Sequence, residues 1–252
     1  MNQADWLTTV LLYAHIGAGL LGILVGLGAI FAPKLGRVHR RCGRAFVWVV
    51  VFVAISGCAL LADPAFGSIS LLFFSDKTGL GDVLKSADYY EVLFLWLTFA
   101  TLYITLTGPR VWTRIRASHD GRMTSNWLDW ALALASVPMS AMFLVIGIMD
   151  LTHGERFGVE FIFFSLALNA IVLFDIATFV LRPSVRRFPW WIVHMVKMLL
   201  AFDTLVYAVY LRHFMQMPEF LQVRLFVLYL AIPMIGISLW IYRRRLMTGP
   251  VK

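Results

Sequence analysis

LTTVLLYAHIGAGLLGILVGLGAIFA, residues 7–32, runs its whole length without one Asp, Glu, Lys or Arg. A hydrocarbon layer about 30 Å thick needs roughly 20 helical residues to cross it, so this stretch is long enough. Six further apolar runs follow, at 45–62, 91–107, 127–151, 158–181, 189–213 and 223–242. Backbone N–H and C=O groups find no partner in lipid, so each run is expected to be an α-helix; a β-barrel would show alternating segments of about ten residues instead. The expected fold class is therefore all-α, a polytopic membrane bundle of seven transmembrane helices, with residues 1–252 forming a single integral membrane domain.

Composition agrees. The 252 residues are 60% hydrophobic and only 14% charged, where a soluble domain carries about 25% charged residues. Seven crossings and their connectors use up almost the whole chain. Met1 to Trp6 contains no Lys or Arg, and the run behind it is too long for the core of a cleavable signal, so the first run is expected to be a retained helix. Cys42 and Cys58 are sixteen residues apart, about 24 Å along a helix, too far for a disulfide.

Charge orients the bundle. Sixteen Lys and Arg fall on the first, third and fifth connectors and the C-terminal tail, and five on the remaining connectors. Cytoplasmic loops carry the excess of positive charge, which puts the N-terminus outside and the C-terminus in the cytoplasm. The net charge of +8 thus lies in short loops beside apolar runs. Anionic lipid headgroups, not nucleic acid, are the expected partner, with Arg37, His39, Arg40, Arg41 and Arg44 in the first connector as the contact. Trp112, Trp127, Trp190, Trp191 and Trp240 fall at run ends, as in an interfacial belt. Pro109, Pro183 and Pro189 are expected to end helices, and Pro138 and Pro233 to kink them. The stretch 66–74 in the longest connector is too short to span and is expected to lie on the outer interface or fold back. Oligomeric state is left open.

Ionisable residues inside a span are functional candidates, because each is costly in lipid unless paired. His15, Asp175, His194, Lys197 and Asp203 form the expected intramembrane polar site. Asp175 lies six residues from the inner end of its run and Lys197 eight from that of its own, about 9 and 12 Å deep, so the two are expected to meet, with His194 nearby. His15 and Asp203 share a level in the outer half, where a carboxylate would fix the imidazole tautomer. The polar residues 194, 197 and 203 place the sixth helix centrally. His15, Gly19, Gly22 and Gly26 fall on one stripe of the first helix. Such a stripe either admits a neighbouring helix or offers a groove for a flat cofactor beside a histidine ligand. Thr98, Thr101 and Thr105 share a face of the third helix, and Asp129, Ser136, Ser140 and Gly147 one of the fourth; both either line a cavity or join helices.

The segment His15-Ile-Gly through Gly22, then His39-Arg40 and Gly43-Arg44, Tyr103-Ile-Thr-Leu-Thr-Gly108 and His194-Met195 resemble a bacterial multi-pass membrane family carrying a domain of unknown function. The resemblance implies a bacterial cytoplasmic (inner) membrane and marks His15, His39, Arg40 and His194 as signature positions. It supplies no activity. Nucleotide, hydrolase and Cys-rich metal motifs are absent. Three functions stay open. A membrane redox protein binding haem b or a quinone through His15, Gly19, Gly22, His39 and His194 is placed first, since it explains both histidines and glycines. Axial ligation needs two imidazoles on one iron, so His15 with His213, or His39 with His194, would serve across helices. A proton-coupled small-solute carrier using Asp203, Lys197 and Asp175 is the second, and a non-catalytic assembly subunit the third.

Overall fold

The computed structural model describes residues 3–33, 36–62, 89–118, 120–152, 158–185 and 189–214. They form six helices: α1 (Gln3–Phe31), α2 (Arg37–Ala62), α3 (Tyr89–Arg116), α4 (Trp127–Thr152), α5 (Gly158–Leu181) and α6 (Trp190–Phe214). All six are long and apolar enough to cross a membrane. The expected seventh run at 223–242, the stretch 66–74, Pro233 and Trp240 lie outside the described residues, as does the side chain of His213.

Two boundaries differ from expectation. The basic segment 37–44 is not a loop but the first two turns of α2; Arg is a good helix former, and charge does not stop a helix once it leaves the hydrocarbon. Helix α3 continues nine residues past Thr107 to Arg116, with Pro109 inside it and not at its end. In a bundle the neighbours re-satisfy the groups that a proline frees.

Helix α1 packs on α2 and α6, and both of those pack on α3, closing a ring of four; α4 lies against α3, and α5 against α4. The centre of the bundle is α3, not α6: 61% of the α3 span is buried, against 22% of α6 and 17% of α1. Leu93, Trp96, Leu97, Ala100, Tyr103 and Ile104 of α3 all belong to the core. The Trp96 ring meets Phe143 of α4 edge-on at 6.2 Å and Phe164 of α5 at 5.4 Å, the offset geometries aromatic pairs prefer. Leu24, Ile55, Leu134, Leu166, Leu173 and Val180 are exposed, as lipid-facing side chains would be.

Small residues set the closest approaches. A Cβ on Gly22 would lie 2.8 Å from Leu205 Cδ2 and 3.2 Å from Val49 Cγ1, and one on Gly26 would lie 2.5 Å from Phe202 Cδ2. The stripe on α1 is therefore filled by α2 and α6 side chains at Gly22 and Gly26, the helix-contact use of such residues. Ser140 Oγ donates to the Ser165 carbonyl at 3.0 Å, joining α4 to α5 on the face that the fourth-helix stripe marks.

One end of the bundle is tied by short loops. Met123 N donates to Pro183 O at 3.0 Å and Val185 N to Gly121 O at 2.9 Å, so the α3–α4 and α5–α6 connectors share an end. Arg182 Nη2 lies 3.3 Å from Asp120 Oδ2 across them. The Arg122 N–H, with Arg182 adding to it, holds the Asp120 carboxyl below its usual range. Trp190 is buried beneath Val111 and Met123, whereas Trp127 stands exposed where an interfacial belt would lie.

Candidate functional site

A charge taken out of water must be paired and hydrogen-bonded. Asp175 of α5 is 1% exposed and Lys197 of α6 is 3% exposed. They meet, with Lys197 Nζ 2.5 Å from Asp175 Oδ2. Two residues of α3 complete the cluster. Tyr103 Oη donates to the same Asp175 oxygen at 2.6 Å. Lys197 Nζ donates to Thr107 Oγ1 at 3.1 Å, while the Thr107 hydroxyl donates to the Tyr103 carbonyl at 2.8 Å. The ammonium also stands 5.8 Å from the Tyr103 ring centroid, within cation–π range. Gly108 makes room for Lys197: its Cβ would lie 3.4 Å from Lys197 Cβ and 2.8 Å from Met198 Sδ.

The carboxylate is asymmetric. Oδ2 receives both Lys197 and Tyr103, whereas the buried Oδ1 has no hydrogen-bond partner among the described residues. Arg114 lies next along α3. Its Nη2 donates to Thr178 Oγ1 at 2.9 Å, its Nε to the Thr124 carbonyl at 2.9 Å, and its guanidinium stacks 4.5 Å from the Phe179 ring. Thr178 in turn donates to the Asp175 carbonyl at 2.7 Å. At the start of α4, Asn126 and Asp129 cap each other reciprocally, N–H to side-chain oxygen at 2.9 and 3.1 Å, as in a capping box. Arg110 of α3 clamps that cap, 2.7 Å from Asp129 Oδ1 and 2.7 Å from Asn126 Oδ1. Asp129 thus anchors a helix start.

The histidines go elsewhere. His15 Nδ1 lies 2.9 Å from Ser56 Oγ on α2. Ser56 has one hydroxyl proton, directed to the Phe52 carbonyl at 2.8 Å, so this network assigns the imidazole proton to Nδ1 and leaves Nε2 as the basic nitrogen. The expected His15–Asp203 contact is replaced by this bond. The reason is azimuth: α6 turns Leu205 and Phe202 toward Gly22 and Gly26 of α1, and at 100° per residue Asp203 lies about 100° from Phe202 and about 200° from Leu205. Asp203 is half-buried. His39 caps α1: its Nδ1–H donates to the Ala29 carbonyl at 2.8 Å, one of the last carbonyls of that helix, the groups a helix end leaves unsatisfied. His194 Nδ1–H donates to the Gly108 carbonyl at 3.0 Å, with its ring edge-on to Trp112 at 5.9 Å. His194 therefore lies about one turn before Lys197 on α6, bonded to α3.

Of the glycine groove, Gly22 is filled, while a Cβ on Gly19 would meet nothing within 4 Å. Arg37, Arg40, Arg41 and Arg44 are all exposed. At 100° per residue they share an arc of about 100°, and the next residue along it, Trp48, is 73% exposed. Among the described residues no group of three or more His, Cys, Asp or Glu is placed to hold a metal ion.

Tyr103, Thr107 and Arg114 lie outside the expected site, although the first two fall within the segment Tyr103-Ile-Thr-Leu-Thr-Gly108. Positions 103, 107, 110 and 114 share one helical face, but that face becomes visible only once α3 is carried through Pro109. No protein family, curated protein or solved structure matches this chain.

Proposed function

We propose that this protein is a multi-pass protein of a bacterial cytoplasmic membrane that moves protons, or a small solute together with a proton, through the Asp175–Lys197 pair. The observation that carries the reading is the lopsided carboxylate. Oδ2 holds two donors while Oδ1 is buried with no hydrogen-bond partner among the described residues. A purely structural pair gains most when every lone pair is satisfied; an open oxygen in a buried acid is an acceptor that a proton or a polar solute can use. Ionisable residues inside membrane spans are rare and mark ion pathways and proton relays.

The redox reading draws less from the geometry. Gly22 is occupied by Leu205 and Val49. Of the expected ligand pairs, His39 and His194 each spend Nδ1 on a backbone carbonyl, Ala29 and Gly108, and the side chain of His213, the expected partner of His15, lies outside the described residues. The proposed orientation has the N-terminus outside. It draws on the exposed arginine arc at the start of α2, which would meet anionic headgroups at the cytoplasmic face with Trp48 just beneath them.

The test is proton movement in liposomes under an imposed pH gradient, followed with an enclosed pH dye. The wild-type protein should discharge the gradient. The double variant Asp175→Asn, Lys197→Met, which removes both charges of the pair, should be slower by about a hundredfold, the scale of losing a positioned proton-transfer group. Equal rates would reject the reading.

A further inference from the structure

We propose that the solute moved with the proton is a small monocarboxylate, and that the Arg114 guanidinium binds it. This rests on the proton-handling reading and names its solute. Arg114 is 6% exposed, yet among the described residues no carboxylate pairs with it. The two acids of the cluster are taken, Asp175 by Lys197 and Asp129 by Arg110. Three cations, Arg110, Arg114 and Lys197, thus face two anions, and Arg114 is the charge left over. A buried charge without its opposite is costly, so the site calls for one more negative charge. A monoanion supplies it and leaves the set neutral.

A guanidinium carries five N–H donors. Here Nε gives its proton to the Thr124 carbonyl and Nη2 gives one to Thr178 Oγ1; the other three have no hydrogen-bond partner among the described residues. A clamp between helix and loop would explain the two bonds but not the charge. An uncharged amide could serve two neutral acceptors without burying a cation. The Phe179 ring covers one face of the guanidinium at 4.5 Å, which leaves its edge open to a ligand. A guanidinium edge takes the two oxygens of a planar carboxylate side by side.

This cation is joined to the proton site. Thr178 accepts from Arg114 and donates to the Asp175 carbonyl, and it stands about one turn, roughly 5 Å, from Asp175 on α5. On α3, Arg114 is two residues from the end of the helix and bonded to the α3–α4 connector at Thr124, so the anion arrives from the loop end of the bundle. Asp175 Oδ1, which lacks a donor among the described residues, takes the proton, and Arg114 takes the anion. One proton and one carboxylate then cross together with no net charge and no redox partner.

Pyruvate is the probe, because its acid form is too scarce at neutral pH to leak through lipid. The melting temperature of the protein in mixed micelles should rise with sodium pyruvate and not with equal sodium chloride or sodium phosphate. Arg114→Lys keeps the charge and loses the fork. It should weaken pyruvate binding by about tenfold or more, the scale of one lost charge-assisted hydrogen bond. Thr178→Ala, which frees the guanidinium from its acceptor, should weaken binding likewise and serves if Arg114→Lys does not assemble. In liposomes at equal pH, pyruvate added outside should carry protons inward through the wild-type protein. A rise with phosphate in place of pyruvate would overturn the carboxylate, and undiminished pyruvate binding in both variants would overturn Arg114. No response to pyruvate, alongside a pH gradient that the wild type discharges and Asp175→Asn, Lys197→Met does not, would overturn the solute and leave the proton site standing. A gradient discharged equally by both proteins would overturn the proton-handling reading itself.

Discussion

Asp175→Asn is expected to destabilise the purified protein by about 3–5 kcal/mol, the cost of leaving one member of a buried pair without its opposite charge. The substitution keeps the size and one acceptor oxygen, but Lys197, 3% exposed, then has neutral acceptors alone, that amide oxygen and Thr107, with the face of Tyr103, and no opposite charge. Adding Lys197→Met removes that stranded charge, so the double variant should recover most of the loss. Unfolding in mixed micelles measures both, and the two proteins should differ by several kcal/mol in the order single below double. Identical stabilities would mean that the ammonium and the carboxylate are not energetically coupled.

Gly147→Val carries the second large effect. A Cβ at Gly147 would lie 2.8 Å from Phe161 Cβ, 2.9 Å from the Gly158 carbonyl oxygen and 2.9 Å from the Ile162 nitrogen. Two of these are backbone atoms of α5, which cannot swing aside as a side-chain end can. The variant must push α4 and α5 apart where Ser140 also joins them. A loss of about 3 kcal/mol is expected, at the upper end of ordinary overpacking. Gly19→Ala provides the contrast: a Cβ there meets nothing within 4 Å, and Ala is the better helix former, so no loss is expected. Thermal unfolding of the two variants side by side checks the pair of expectations.

Parts of this arrangement are readable from the chain alone, for a definite reason. Helical rise is fixed, so counting from the span ends places Asp175 and Lys197 at similar heights, and the demand of each buried charge for its opposite does the rest. The same counting fails for His15 and Asp203. Height carries no information about azimuth, and α6 presents Leu205 and Phe202, not Asp203, to α1. It likewise puts the sixth helix at the centre on its polar content, whereas α3 is the buried one because its face of Tyr103, Thr107, Arg110 and Arg114 bonds to its neighbours. That face is hidden while Pro109 is taken as a terminus. His39 and Asp129 have ligand-like side chains whose bonds go to helix ends, a use that no spacing rule separates from binding.

Infrared difference spectroscopy of the reconstituted protein, recorded as the pH on one side is lowered, tests most directly whether Asp175 exchanges a proton. A protonated-carboxyl band should appear and should vanish in Asp175→Asn, Lys197→Met. A wild-type spectrum without any carboxyl band belonging to Asp175 would contradict the account and leave the pair as a lock between α5 and α6.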